Sequence, residues 1–129
     1  STIDLAASLA ALTGTPLPAD ACTDSFDVSG ALLGQPGAKG REHFVQQDNG
    51  GTGNFGFRVG DWKLVRYDTK FANNEIVEQP LQRTPQPQFQ LFDLAKDPGE
   101  KTDVLAKNPE VAEKLKARLA ALVAASRSR

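Results

Sequence analysis

With 129 residues, 40% of them apolar and 24% charged, the chain has the size and composition of one globular domain. Its net charge of −1 gives no electrostatic drive toward nucleic acid or an anionic membrane, and no apolar run nears the roughly 20 residues of a membrane span. The single cysteine, Cys22, excludes an internal disulfide, and no motif around it marks a nucleophile.

The chain opens Ser1-Thr2-Ile3-Asp4, lacks Met and shows no basic segment leading into an apolar one. It reads as a processed chain or as a piece of a longer protein, and the piece is preferred. Leu5, Leu9 and Leu12 at i, i+4 and i+7 predict a helix over 3–13 with one narrow apolar stripe. Ser1 or Thr2 is placed to cap it, Asp4 suits its first turn, and Gly14 is placed to end it in the left-handed conformation.

Residues 14–40 are expected to be irregular. Asp20, Asp24 and Asp27 lack the alternating spacing, central Gly and closing Glu of a calcium hand, so they read as solvated loop acids and helix caps. Ser29 to Gly34 suggests one helical turn, and Gln35-Pro36-Gly37 a tight turn. A strand follows over 42–47, with His43, Val45 and Gln47 on one face and Phe44 and Gln46 on the other. Neither face is cleanly apolar, which places it at an edge or beside a site. Asp48 to Asn54 is a glycine-rich connector without the Lys and Ser/Thr of a phosphate loop.

Phe55 to Tyr67 reads as a hairpin closed by Gly60-Asp61 in a type II′ turn. This register puts Val59 opposite Trp62, Phe57 opposite Leu64 and Phe55 opposite Arg66 on one nearly apolar face. Arg58 faces Lys63 on the other, a like-charge pairing that asks for a partner. Residues 68–88 form a long connection interrupted by Pro80, Pro85 and Pro87, with a short strand conceivable at Ile76-Val77. Phe89 to Leu94 is a strand apolar on both faces, expected in the middle of the sheet. Asp97-Pro98-Gly99-Glu100 fits a type II turn with Gly99 at its left-handed position. Asn108-Pro109-Glu110 then starts a long helix whose stripe is Val111, Leu115, Leu119 and Leu122, with Glu110–Lys114 as an i,i+4 pair. The elements add up to an α+β fold: a small antiparallel sheet of about four strands packed against a long C-terminal helix, plus a short N-terminal helix.

Four stretches in order carry a resemblance: Thr2-Ile3-Asp4-Leu5 with Leu12-Thr13-Gly14; Ser29-Gly30-Ala31-Leu32-Leu33-Gly34; Phe57-Arg58-Val59-Gly60-Asp61-Trp62-Lys63-Leu64; and Leu91-Phe92-Asp93-Leu94 with Asp97-Pro98-Gly99-Glu100. Together they resemble the C-terminal region of the sulfatase (arylsulfatase) family. The resemblance implies that residues 1–40 link to an absent catalytic domain and that 41–129 form the C-terminal α+β subdomain. It also implies a parent enzyme that hydrolyses sulfate esters with calcium and a formylglycine, and a parent that is periplasmic or secreted. Cys22 stands in Cys-Thr-Asp-Ser-Phe, not in the family's Cys/Ser-x-Pro/Ala-x-Arg motif, so no catalytic or metal-binding residue carries over and the piece is expected to be inactive alone. Gln46 lies where many relatives have His.

The expected partners are the upstream catalytic domain, a sulfated substrate, and a second copy when the piece is isolated and its face is bare. Arg58 and Lys63, with His43, Gln46 and Gln47 near them, form the candidate substrate-binding set. The plainer reading pairs the two cations with loop carboxylates or solvent. The rival for the whole chain is an independent carbohydrate- or protein-binding module without catalysis.

Overall fold

The structure, a computed structural model, describes residues 1–47, 54–67 and 87–127. They fall into two compact units, one of Ser1–Glu42 with Ala120–Arg129 and one of His43–Leu119.

In the first unit a 3₁₀ turn, Thr2–Asp4, leads into α1, Leu5–Thr13, and Gly14 ends the helix at φ 67°. The leucine stripe is not its packing face. Leu5, Leu9 and Leu12 are 44, 57 and 50% exposed, whereas Asp4, Ala7 and Ser8 are buried. Small side chains let the backbone of residues 25–28 come close, and three polar groups hold it there. The Asp4 carboxylate accepts the Phe26 N–H at 3.0 Å and faces the Arg41 guanidinium at 3.2 Å. Ser25 Oγ accepts the Ala7 N–H at 2.9 Å, and Ser8 Oγ accepts the Val28 N–H at 3.0 Å. Neither Ser1 nor Asp4 caps α1 with its side chain. A free first-turn N–H is met instead by Ser25, eighteen residues on. Arg41 also lies over the Phe26 ring at 4.8 Å. The single turn α2, Ser29–Leu32, is followed by Gly34 at φ 69°.

The second unit is a meander of four antiparallel strands in the order β1-β2-β3-β4: His43–Gln47, Phe55–Val59, Trp62–Arg66 and Phe89–Asp93. The β2–β3 register matches the expected one at every pair, from Val59 opposite Trp62 to Phe55 opposite Arg66. Gly60 sits at φ 57° and Asp61 is not left-handed, as a type II′ loop demands. One sheet face carries Phe57, Leu64 and Leu91, each fully buried. The long helix α3, Pro109–Ala125, supplies Ala112, Leu115 and Leu119, also buried. Burial of each large apolar side chain contributes roughly 1.5–3 kcal/mol. Asn108 starts α3 as an N-cap residue, its carbonyl taking the Ala112 N–H at 3.0 Å. Lys116 pairs with Glu113 on this helix at 2.8 Å and also lies over the Phe89 ring.

Two local expectations change. Strand β4 is terminal in the sheet, not central. It is buried on both faces because the chain folds back over its outer edge. The Leu91 N–H donates to Asp103 Oδ1 at 3.0 Å, and the Leu91 carbonyl accepts the Val104 N–H at 2.8 Å. This pair closes what would be an open edge. The turn at Asp97 keeps its 3.1 Å hydrogen bond from the Glu100 N–H, but the left-handed residue is Glu100, at φ 53°, and not Gly99. That conformation aims the Lys101 and Thr102 N–H groups at Asp97 Oδ2, both at 2.7 Å. The Glu100 side chain then bonds Lys63, which offsets the roughly 1–2 kcal/mol cost of a left-handed non-glycine residue. The glycine-rich connector and the conceivable strand at Ile76-Val77 lie outside the described residues.

Candidate functional site

The strand register decides which candidate side chains meet. Strand side chains alternate, and β1 pairs Gln46 with Gly56 while β2 pairs Gly56 with Val65. Gln46, Gly56, Lys63 and Val65 therefore share the face turned away from α3. Gly56 makes the depression. A Cβ there would meet the Lys63 Cε at 3.5 Å and the Gln46 Oε1 at 3.6 Å, so these side chains lean over it from the two flanking strands. A cavity of about 290 Å³ opens at this place, lined by Gln46, Gln47, Asn54, Lys63, Arg66 and Tyr67 among others.

Of the five expected residues, Gln46, Gln47 and Lys63 come together here. Arg58 does not. Its Nε donates to the Gly60 carbonyl at 2.9 Å, bracing the hairpin loop. His43 lies on the opposite face of the sheet, 8% exposed, edge-on to Phe57 at 6.0 Å and 3.1 Å from the Arg118 guanidinium. The like-charge problem is solved from outside the hairpin: Lys63 Nζ bonds both Glu100 oxygens at 2.7 Å. Asn54, Arg66 and Tyr67 also line the cavity and were not among the expected site residues. Tyr67 carries a signal, since it continues the Lys63–Val65 alternation. Its hydroxyl is buried with no hydrogen-bond partner among the described residues. Arg66 lies 5.9 Å from the Phe55 ring, the cross-strand neighbour that the register predicts.

The described lining of this cavity offers groups suited to binding. It combines amides, a buried phenol and the basic side chains of Lys63 and Arg66. Among the described residues no three His, Cys, Asp or Glu side chains are grouped to hold a metal ion. Cys22 is exposed and in a sequence that does not fit formylglycine formation. Asp27 accepts the Ser29 N–H at 2.9 Å at the start of α2, and bonding to Ser29 holds its carboxyl below the ordinary range. The N-cap residue of α2 is Val28, which makes no side-chain cap bond, so Asp27 closes a turn ahead of the helix instead of capping it as expected.

Fold and cavity together define a small α+β unit that presents polar side chains from a sheet face. The chain is 38% identical over 115 residues to N-acetylgalactosamine-6-O-sulfatase of Bacteroides thetaiotaomicron, matching 89% of this chain and 22% of that protein. It is 32% identical over 127 residues to human arylsulfatase A, matching 90% of this chain and 25% of that one. A solved sulfatase structure, reported under the metabolism of multiple glycosaminoglycans by Bacteroides thetaiotaomicron, superposes with TM-score 0.74 at 33% identity, over 92% of this chain and 24% of that one. No family model matches. The chain belongs to the sulfatase family. It spans about a quarter of the length of these relatives, in agreement with a C-terminal subdomain.

Proposed function

We propose that this chain is the C-terminal subdomain of a sulfatase that acts on a sulfated glycan, and that it completes the parent fold and lends side chains to the substrate cleft. The observation that carries the reading is the 38% identity to an N-acetylgalactosamine-6-O-sulfatase over most of this chain but only 22% of that enzyme. The calcium and formylglycine chemistry then belongs to the remainder of the parent, and no step of ester hydrolysis passes through the residues present here.

The exposed apolar face of the first unit supports a docking role. Ile3, Leu5, Leu9, Leu12, Leu32 and Leu33 are 43 to 60% exposed, and four of them, Leu5, Leu9, Leu12 and Leu32, lie on two helices totalling thirteen residues, an unusual apolar load. The remainder of the parent is the occupant assigned to it, because three quarters of each relative lies outside the match. Isolated, the chain self-associates through this face. Light scattering that finds a monomer at high concentration would count against this, as would a Leu9→Arg parent with full activity and stability.

On the cleft side, Gln46, Gln47 and Lys63 contact substrate through the Gly56 depression, with Arg58 and His43 outside it. Sulfate release by the full-length parent, measured as kcat/KM on a sulfated oligosaccharide, tests this. Gln46→Ala and Lys63→Ala should each lower it, and unchanged values would remove the substrate role.

A further inference from the structure

We propose that the opposite end of the sheet carries a saccharide subsite, with the Trp62 indole as its platform and Lys107 as the counter-charge for an anionic sugar. A cavity of about 480 Å³ opens there, lined by Trp62, Asp93, Lys96, Asp97, Thr102 and Lys107 with two neighbours. Its volume lies in the range of small-ligand sites, roughly 300–1,000 Å³. Trp62 and Asp93 are cross-strand partners, so the indole stands at the mouth of the sheet's hairpin end.

The charges in this cavity are not equivalent. Asp93 is matched by Lys96 at 2.8 Å, whose ammonium holds the carboxyl below its ordinary range. Asp97 Oδ2 is occupied by the Lys101 and Thr102 N–H groups. The Lys107 ammonium, the Thr102 hydroxyl and the Trp62 indole N–H have no hydrogen-bond partner among the described residues. The groups on offer are therefore one flat aromatic surface, one cation, one hydroxyl, one N–H donor and, as an acceptor for a sugar hydroxyl, Asp97 Oδ1.

Inorganic sulfate would leave the indole unused, and a neutral sugar would leave the cation unused. A sugar ring bearing sulfate or carboxylate uses both: its C–H face lies on the indole and its anion meets Lys107. The backbone beneath is fixed by the Asp97 bonds and by the 3₁₀ turn Leu105–Lys107, so the site is preformed.

The choice of a glycosaminoglycan probe rests on the proposed function; the site itself does not. The experiment is calorimetric binding of a chondroitin-6-sulfate octasaccharide to the full-length parent, alongside turnover of a small aryl sulfate. Lys107 is exposed, so Lys107→Glu keeps the fold, and it should weaken octasaccharide binding about tenfold while aryl sulfate turnover stays unchanged. Trp62→Phe should weaken binding less, by leaving a smaller platform. Loss on unsulfated chondroitin as well assigns the Lys107 contact to carboxylate, and loss confined to the sulfated probe assigns it to sulfate. If Lys107→Glu and Trp62→Phe both bind like the unaltered parent, the subsite is wrong. A parent that cleaves no sulfate ester but still loses affinity on Lys107→Glu overturns the enzymatic reading and leaves the subsite standing.

Discussion

The first unit buries Asp4, Ser8 and Ser25, where the sheet unit buries Phe57, Leu64 and Leu91. In the first, each buried oxygen answers a particular N–H or guanidinium, and the leucines point outward. In the second, apolar residues fill the core, with His43 the polar residue buried against it. Directional bonds tolerate little change, because removing one partner strands the other away from water. Apolar packing is non-directional and fails in proportion to the volume removed. A unit that turns its leucines outward is patterned for a partner, whereas the sheet unit carries its own core.

Variants can break this contrast. Phe57→Ala should cost the sheet unit about 3–5 kcal/mol, read as a lower urea midpoint and as lost hydrogen-exchange protection in β2 and β3. Asp4→Ala should cost about 3 kcal/mol, the low end for a broken buried pair, because Arg41 keeps the Phe26 ring and the Asp24 carbonyl. Its exchange signature should fall on residues 24–28 and spare β2 and β3. The double variant Asp4→Leu/Arg41→Met should recover much of that loss. If it is no better than Asp4→Ala, the buried pair is not what holds the unit.

Ser25→Ala should cost about 1–2 kcal/mol by stranding the Ala7 N–H, measurable in the same denaturation curves. At Glu100 two terms oppose. Glu100→Ala loses the Lys63 pair and keeps the strained backbone, so it should cost about 1 kcal/mol. Glu100→Gly loses the pair but relieves the strain, and should be nearly neutral. Acid gives the smallest effect. The Lys96 and Ser29 bonds depress the Asp93 and Asp27 carboxyls below 3.8, so their contribution is present above that pH and fades as pH falls through the lower folded values. Asp93→Asn should flatten the acid limb of a stability–pH curve slightly.

Local rules read the sheet unit well. The hairpin register and the Gly60 turn follow from spacing a few residues apart, as do Leu115 and Leu119 in the α3 stripe, whereas Ala112 is buried there ahead of the expected Val111. The position of β4 did not, because its burial comes from Asp103 and Val104 folding back, and a strand buried by a loop looks like a strand buried by strands. The left-handed residue moved from Gly99 to Glu100 for a similar reason: Lys63 lies 37 residues away in sequence. In the first unit the period of the leucines was legible but their direction was not. Periodicity reports a helix face, and only the partner decides whether that face is inside. The candidate site was half legible, since alternation groups Gln46 with Lys63 but says nothing of the missing side chain at Gly56 that opens the space between them.

The consecutive strand order also bears on how such a unit can diversify. The connections after Gln47 and after Tyr67 both leave from the end of the sheet that carries the Gly56 cavity. Each joins strands that already pair with their sequence neighbours. As a general rule, doubling the length of a loop costs only about 0.6 kcal/mol in closure entropy, less than one well-buried methylene contributes. Changes of length after Gln47 and after Tyr67 are therefore expected to leave the core of the sheet untouched. The meander works as a fixed frame with an exchangeable border.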